Sequence, residues 1–183
     1  GYTNPISISI PGVPLNKVTA SMSGGTLQPV GPGKYIARPA AVGKDVTITV
    51  MSTTTGHPRQ MGQFTFHVRK LPDPTAYLAI GTNRYRGGGL AKASIMSAPG
   101  IKAAIDDGIL DIQFKVVSFE TVFFDNMGNA VPMASAGSNF SERQRDTFRK
   151  LSRGKRFYIS RITAVGPDGI TRKLNGSMEV IVK

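Results

Sequence analysis

The sequence predicts an all-β protein of two tandem, small β-sandwich modules of immunoglobulin-like architecture, the second carrying one short helix. Three observations lead there. First, apolar and polar residues alternate over several short runs: Ile6, Ile8 and Ile10 around Ser7 and Ser9, Val46, Ile48 and Val50 around Thr47 and Thr49, then Phe64, Phe66 and Val68. A period of two sends alternate side chains to opposite faces of a half-buried strand. Second, these runs are separated by "PGVP", "SGG", "PVGPG" and "TTTGHP", which end strands in turns. Third, 21 Gly and 12 Pro, with plentiful Val, Ile and Thr and scarce Leu, favour strands and turns over helices.

In chain order, the Ile6–Ile10 run is followed by candidate strands at Lys17–Met22, Lys34–Arg38, Asp45–Met51 and Gly62–Arg69, about five before residue 70. "LPDPT" (Leu71–Thr75) reads as a stiff, proline-bracketed connector, because Pro fixes φ and cannot donate to a ladder. The domain boundary is placed there, giving modules 1–71 and 72–183. Tyr77–Ile80 predicts a short strand leading into the glycine-rich "RYRGGG" and on to Ala93–Met96. Pro99–Asp107 is expected to form one or two helical turns, with Pro99 near the start and Gly108 as the stop. From Leu110 the apolar residues fall on even positions through Ile112, Phe114 and Val116, then shift to Val117, Phe119 and Phe123. A slip of one residue inside a strand is the signature of a β-bulge or a bend that switches sheets. Ser141–Leu151 is the one convincing helix: Ser141 and Gln144 have capping-box spacing, Phe148 and Leu151 supply its few apolar contacts, and Gly154 is placed to close it. The last strands are Phe157–Val165, Ile170–Leu174 and Met178–Val182.

The composition also narrows function. There are no cysteines, so disulfides, thiol catalysis and cysteine metal sites are excluded. The longest apolar run, Ala76–Ile80, is far below the roughly 20 residues that span a bilayer. No signal peptide is visible, and an opening of Gly-Tyr-Thr is expected of a fragment of a longer chain. The net charge of +12 points either to nucleic acid or to an acidic protein surface. Eight of the 23 Lys and Arg lie between Arg143 and Arg161, against only Glu142 and Asp146. Arg145, Arg149, Lys150 and Arg153 would form a basic stripe there, able to follow a phosphate backbone, to meet an acidic protein, or simply to be solvated.

Gly166, Pro167, Asp168 and Gly169, in "ITAVGPDGITRKL", invite comparison with a phosphate-binding loop. Such a loop needs a helix after it, and here strand-like residues follow. Pro167 suits position i+1 of a turn and Asp168 position i+2, while Arg172 and Lys173, being adjacent, point to opposite faces. The tetrad is therefore a structural hairpin turn. "RYRGGG" (Arg84–Gly89) lacks the spacing of a dinucleotide fingerprint and stands open as an ordinary loop, a protein-contact loop or a single-stranded nucleic-acid contact. His57 and His67 are the only histidines, and no carboxylate or cysteine is spaced to join them in a metal site. No G-x-S-x-G elbow occurs, and the neighbours Asp106 and Asp107 suggest solubility, not acid–base work. The reading is non-enzymatic, with no cofactor and no metal.

Two sets of strings then carry a family resemblance. "NPISISIPGVPLNKV" (Asn4–Val18) with "SMSGGTLQPVGPGKYIARP" resembles the third periplasmic domain of the GldM/PorM family. "FKVVSFETVFFDNMGNAV", "GKRFYISRITAVGPDGITRKLNGSMEVIVK" and the "RYRGGG" loop resemble that family's fourth, C-terminal domain. The resemblance implies a periplasmic part of the type IX secretion and gliding-motility machinery, in a protein anchored in the inner membrane by an N-terminal helix. It implies a homodimeric shaft that joins a proton-driven motor, shared with a PorL-type inner-membrane partner, to a ring of PorK- and PorN-type proteins at the outer membrane. The PorL-type contact would belong to the part of the protein ahead of this chain. Arg84, Tyr85 and Arg86, then Arg149, Lys150 and Arg153, are the residues expected to touch a partner. No nucleic acid is expected on this reading; a basic β-domain that binds nucleic acid is the alternative, weakened because Phe148 is the only aromatic inside the basic helix.

Overall fold

A computed structural model describes residues 2–108 and 110–183. The chain divides after Leu71 into two compact units, each mostly β and immunoglobulin-like, and each with its own core.

The first unit contains six strands: β1 (Asn4–Ser7), β2 (Val18–Ser23), β3 (Gly25–Gly31), β4 (Lys34–Pro39), β5 (Asp45–Ser52) and β6 (Arg59–His67). They form two three-stranded sheets, ordered β1-β4-β3 and β2-β5-β6. Val18, Ile48 and Val50 form a buried cluster, against which Ile6, Ile8, Ile10, Val13, Ala20, Met22 and Leu27 pack, and Tyr35, Ala37 and Val46 are buried as well. The isoleucine alternation therefore points inward as the sequence predicts. β3 was missed because "GTLQPVG" reads as breakers. It lies at a sheet edge, where Pro29 sacrifices no interior hydrogen bond. The third alternating run needs a correction. Phe64 and Phe66 stand opposite Ile48 and Val46, so they share the core-facing side of their sheet, yet they remain 55% and 51% exposed. The periodicity is right, but β6 is the edge strand of its sheet, and its side of the face stays open while Val46 and Ile48 on β5 are buried.

The second unit runs β7 (Thr75–Ile80), β8 (Asn83–Tyr85), β9 (Gly88–Leu90), α1 (Lys92–Ser97), β10 (Ile101–Asp106), β11 (Asp111–Phe124), β12 (Ala130–Ala136), α2 (Glu142–Lys150), β13 (Arg156–Val165), β14 (Thr171–Lys173) and β15 (Met178–Val182). Hydrogen bonding follows the order β8-β7-β10-β11-β13-β15-β9, with β12 on β11 and β14 on β13. β8 and β9 are consecutive in the chain yet stand at opposite ends of that order. The two residues between them carry the chain from one edge to the other.

Pro99–Asp107 is not helical. β10 takes Ile101–Asp106 between β7 and β11, with Ile101, Ala103, Ala104 and Ile105 all buried. An Ala-rich strand covered on both faces shows no alternation, so burial on two sides outweighs the helical preference of alanine. Ala93–Met96 lies in the six-residue helix α1, a second short helix beside the expected one.

The slip expected after Val116 is present. β11 pairs with β10 through Asp111–Phe114 and with β12 and β13 beyond it, so the strand changes partners where its buried face changes from Ile112, Phe114 and Val116 to Phe119, Thr121 and Phe123. Val117 is the extra residue. β13 has its own extra residue opposite, at Arg161, which takes φ +50°. Its inward residues accordingly pass from Phe157 and Ile159 to Ile162 and Ala164. The two bulges compensate, and pairing on either side of them stays in step.

α2 has the expected capping box. The Ser141 hydroxyl accepts from the Gln144 amide at 3.3 Å, and the Ser141 amide donates to Gln144 Oε1 at 2.8 Å. The Gln144 side chain is fully buried and donates on to the Met133 carbonyl at 2.9 Å. Phe148 anchors the helix among Phe140, Phe123 and Phe157, with ring centroids 4.9, 5.6 and 5.0 Å away. The C-terminal cap is Leu151 in extended conformation, and Gly154 belongs to the next turn, so the expected glycine closure of the helix is not the device used. Replacing Ser141 with Ala is expected to cost about 1 kcal/mol, read as a drop of a few degrees in the thermal midpoint; an unchanged midpoint would mean that packing alone fixes the helix start.

Candidate functional site

The residues expected to touch a partner fall into two separate places in the second unit. Arg84 ends up folded inward. β7 and β8 form a hairpin that turns its guanidinium over the Tyr77 ring, 5.2 Å from the centroid, and onto two carboxylates: Asp106 Oδ2 at 2.8 Å and Asp111 Oδ1 at 3.0 Å. Arg86 hydrogen-bonds the same Asp106 oxygen from a more exposed position. These contacts hold the Arg84 guanidinium above its ordinary pKa, through Asp106 first and Asp111 second, and hold Asp106 below the usual carboxylate range. Tyr85 is half-buried, and its hydroxyl finds no hydrogen-bond partner among the described residues; burial pushes its pKa up. The glycines that follow are explained by β9, which lies parallel to β15 through Val180↔Gly88 and Val182↔Leu90. Gly87 and Gly88 take φ +134° and +102°, and a Cβ on Gly87 would sit 3.1 Å from the Glu179 carbonyl oxygen. The "RYRGGG" stretch is thus a tied corner between two sheet edges, and Arg86 is its outward cation.

The second place is α2 and the turn after it. Arg149 and Lys150 are exposed in the last helical turn, but Arg153 lies beyond the helix, in the turn that leads to β13. Several cations of the basic run are already engaged. Arg149 pairs with Asp146, Arg145 donates to the Pro99 carbonyl at 3.0 Å, Arg156 pairs with Glu179 at 3.1 Å, and Arg161 sits 3.6 Å from Glu120. Arg143, Lys150, Arg153 and Lys155 are exposed and make no ion pair among the described residues. They are open cations of this unit, Arg143 in the first turn of α2, Lys150 in its last, and Arg153 and Lys155 in the exit toward β13.

The tetrad 166–169 makes the hairpin expected of it: β13 and β14 pair up to Val165↔Thr171, and the Gly169 amide donates to the Gly166 carbonyl at 3.0 Å. Arg172 and Lys173 point to opposite faces, as adjacent strand residues must. Sequence reasoning missed what Arg172 then does. Its side chain is 2% exposed and forks onto Asp168, Nη1 to Oδ1 at 3.0 Å and Nη2 to Oδ2 at 2.6 Å. Its guanidinium carbon lies 5.1 Å from the centroid of the Phe114 ring, and Nε faces Asp73 Oδ1 at 3.3 Å. A Cβ at Gly166 would sit 2.5 Å from Asp168 Oδ1 and 2.7 Å from Phe114 Cε1, so glycine is required for the clasp to close. The available signal was an Asp and an Arg four residues apart across a turn, a spacing that reads as surface decoration.

His67 is exposed, but it has the carboxylate neighbour that its sequence context did not reveal: Asp45, its cross-strand partner, lies 2.7 Å from Nδ1. His57 stands apart from this pair in the β5–β6 turn. Among the described residues no three His, Cys, Asp or Glu side chains converge as metal ligands, and no helix is long and apolar enough to cross a membrane.

Comparison with known proteins follows the division of the chain. Residues 1–69 match the family model of the GldM third domain, and residues 72–183 match that of the GldM C-terminal domain. No curated protein matches the chain. Among solved structures, the extracellular domain of protocadherin GammaB4 is 14% identical with a TM-score of 0.24, a likeness too weak to carry an argument. This chain is covered over 98% of its length in that comparison and spans about a third, 33%, of the protocadherin chain. With both units matched in their natural order, the chain belongs to the GldM family of type IX secretion and gliding-motility components.

Proposed function

We propose that this chain is a non-enzymatic, periplasmic interaction module, the distal part of a homodimeric shaft that couples an inner-membrane, proton-driven motor to a ring of PorK- and PorN-type proteins at the outer membrane. The observation that carries the reading is the tandem match to the third and C-terminal GldM domains across both units. The internal architecture supports a part that bears load. The second unit is tied edge to edge by the β8–β9 link, pinned at its hairpin by the Arg172 clasp, and filled by a continuous cluster of phenylalanine rings.

Within that role, Arg84 and Tyr85 hold the β8 corner, and Arg86 with Arg149, Lys150 and Arg153 supplies the cations that meet an acidic partner surface. Such charges act mainly on encounter rate and specificity. The chain, immobilised in nuclease-treated envelope extract at physiological salt, is expected to retain the ring proteins, and Arg86→Glu/Lys150→Glu/Arg153→Glu is expected to retain less than a tenth as much. Ring proteins retained equally by both chains would overturn the assignment of these residues. Their absence from both eluates would overturn the shaft-tip role.

A further inference from the structure

Phe64 and Phe66, left uncovered on the core side of β6, belong to a larger feature. The two sheets of the first unit are closed on one side, where a tight turn joins β2 to β3, and open on the other, where β1 and β6 are both edge strands. Between those edges runs a cleft of about 440 Å³. Ile6, Ile8 and Ile10 line one lip, Met61, Phe64 and Phe66 the other, and Ile48 and Val50 the floor. Met61, Phe64 and Phe66 are 47%, 55% and 51% exposed. An edge strand of nine residues, free of proline and carrying two exposed phenylalanines, is what natural sheets normally guard against.

The charge around the cleft says what covers it. Residues 1–71 hold seven Lys and Arg against one acidic residue, Asp45, which His67 already engages at 2.7 Å. The exposed lip is bracketed by cations: Arg59 opens β6, while Arg69 and Lys70 follow its last residue, all three exposed. The β1 lip, from Tyr2 to Asn16, has no charged side chain at all. A second copy of the unit would bring the same cations against these and has no free carboxylate to offer. An extended segment fits: its backbone pairs with a free edge, alternate apolar side chains enter the cleft, and terminal carboxylates meet the two cationic ends.

We propose that the open side of the first unit is a docking groove for an extended, acid-flanked apolar segment of a partner protein, taken up by strand addition between β1 and β6. This site is distinct from the cationic surface of the second unit and does not depend on the shaft-tip reading.

The test is a selection of random nine-residue peptides displayed on phage against the immobilised 183-residue chain, followed by solution affinities of the synthesised winners. Enriched peptides are expected to place apolar residues at alternate positions, with Asp or Glu near the ends. They should bind at least tenfold more weakly to Phe64→Thr/Phe66→Thr and, independently, to Arg59→Glu/Arg69→Glu, a surface change that leaves the core untouched. Their affinity should also fall as salt rises. The proposal is overturned by any of four results: no enrichment, winners lacking the alternation or the carboxylates, affinities unchanged by both variants, or a chain whose dimer in light scattering dissociates on Phe64→Thr/Phe66→Thr. The last would make a second copy the occupant.

Discussion

Replacing Arg172 with Met is expected to destabilise the second unit by about 3–5 kcal/mol, which for a domain of this size lowers the thermal midpoint by on the order of 10–20 °C. The cost comes from what is left behind. Asp168, with its side chain 10% exposed, would keep a charge in a site built to neutralise it, and Phe114 would lose the cation over its ring. Arg172→Lys is expected to recover only part of the loss, because an ammonium cannot reproduce the two parallel bonds to Asp168. Removing both charges, as Arg172→Met/Asp168→Ala, should cost less than Arg172→Met alone, since a buried pair is dearest when half of it is deleted. A double variant no more stable than the single would show that Asp168 relaxes to solvent freely.

The same pair sets an acid limit. Hydrogen bonds from Arg172 hold the Asp168 carboxyl below the usual carboxylate range, while burial opposes them. A group with a depressed folded pKa contributes fully above its unfolded value of about 3.9 and loses that contribution as pH falls through its folded pKa. Chemical denaturation from pH 7 down to pH 2 should therefore show stability falling below about pH 4, with a shallower acid limb in Asp168→Asn. Parallel limbs in the two proteins would assign the acid sensitivity elsewhere, Asp106 being the next candidate because Arg84 and Arg86 lower its pKa in the same way.

The second large effect is expected at Phe148. Truncation to Ala should cost about 3–5 kcal/mol, because this ring is 1% exposed and touches three others. α2 has only two buried side chains, Gln144 and Phe148, so the loss should be felt first by the helix. Hydrogen exchange is expected to show α2 amides exchanging well ahead of those in β11 and β13, which the intact protein would protect together. Uniform loss of protection across the unit would mean that helix and sheet form one cooperative body. Phe148→Leu, which refills most of the volume, should return more than half of the stability.

These two sites also show where reading the sequence succeeds and fails. Phe148 and its cap were legible because helix signals are local: Ser141, Gln144 and the ring lie within eight residues. The slip at Val117 was legible for the same reason, since a change of phase is written along one strand. The hairpin at 166–169 follows from the turn preferences of Pro, Asp and Gly. Arg172 was not legible as a buried group, because its burial depends on Phe114, which arrives from another strand, and on the missing side chain of Gly166. β10 failed for a related reason: Ala103 and Ala104 are both buried, and a strand covered on two faces has no period to read. β3 and β12 each contain a proline that reads as a stop, and the structure tolerates both at sheet edges. Phe64 and Phe66 followed the pattern faithfully, but the pattern cannot say whether anything lies above them. Among the site residues, Arg86, Lys150 and Arg153 stayed outward, whereas Arg84 was drawn in by carboxylates more than twenty residues away in Asp106 and Asp111, and Tyr85 beside it is half-buried with its hydroxyl unpaired among the described residues.

The paired bulges at Val117 and Arg161 have a consequence for how this domain can change length. Deleting Val117 alone would turn every β11 side chain on one side of the gap to the opposite face, putting Phe119 and Phe123 in water or Ile112 and Phe114 there instead. Deleting Arg161 alone would do the same to β13. Deleting both would straighten the two strands together and leave Val116 opposite Ala164 and Thr121 opposite Ile159. Insertions and deletions here are therefore survivable only in matched couples, one in each strand, so that segments far apart in the gene share a single reading frame of inside and outside.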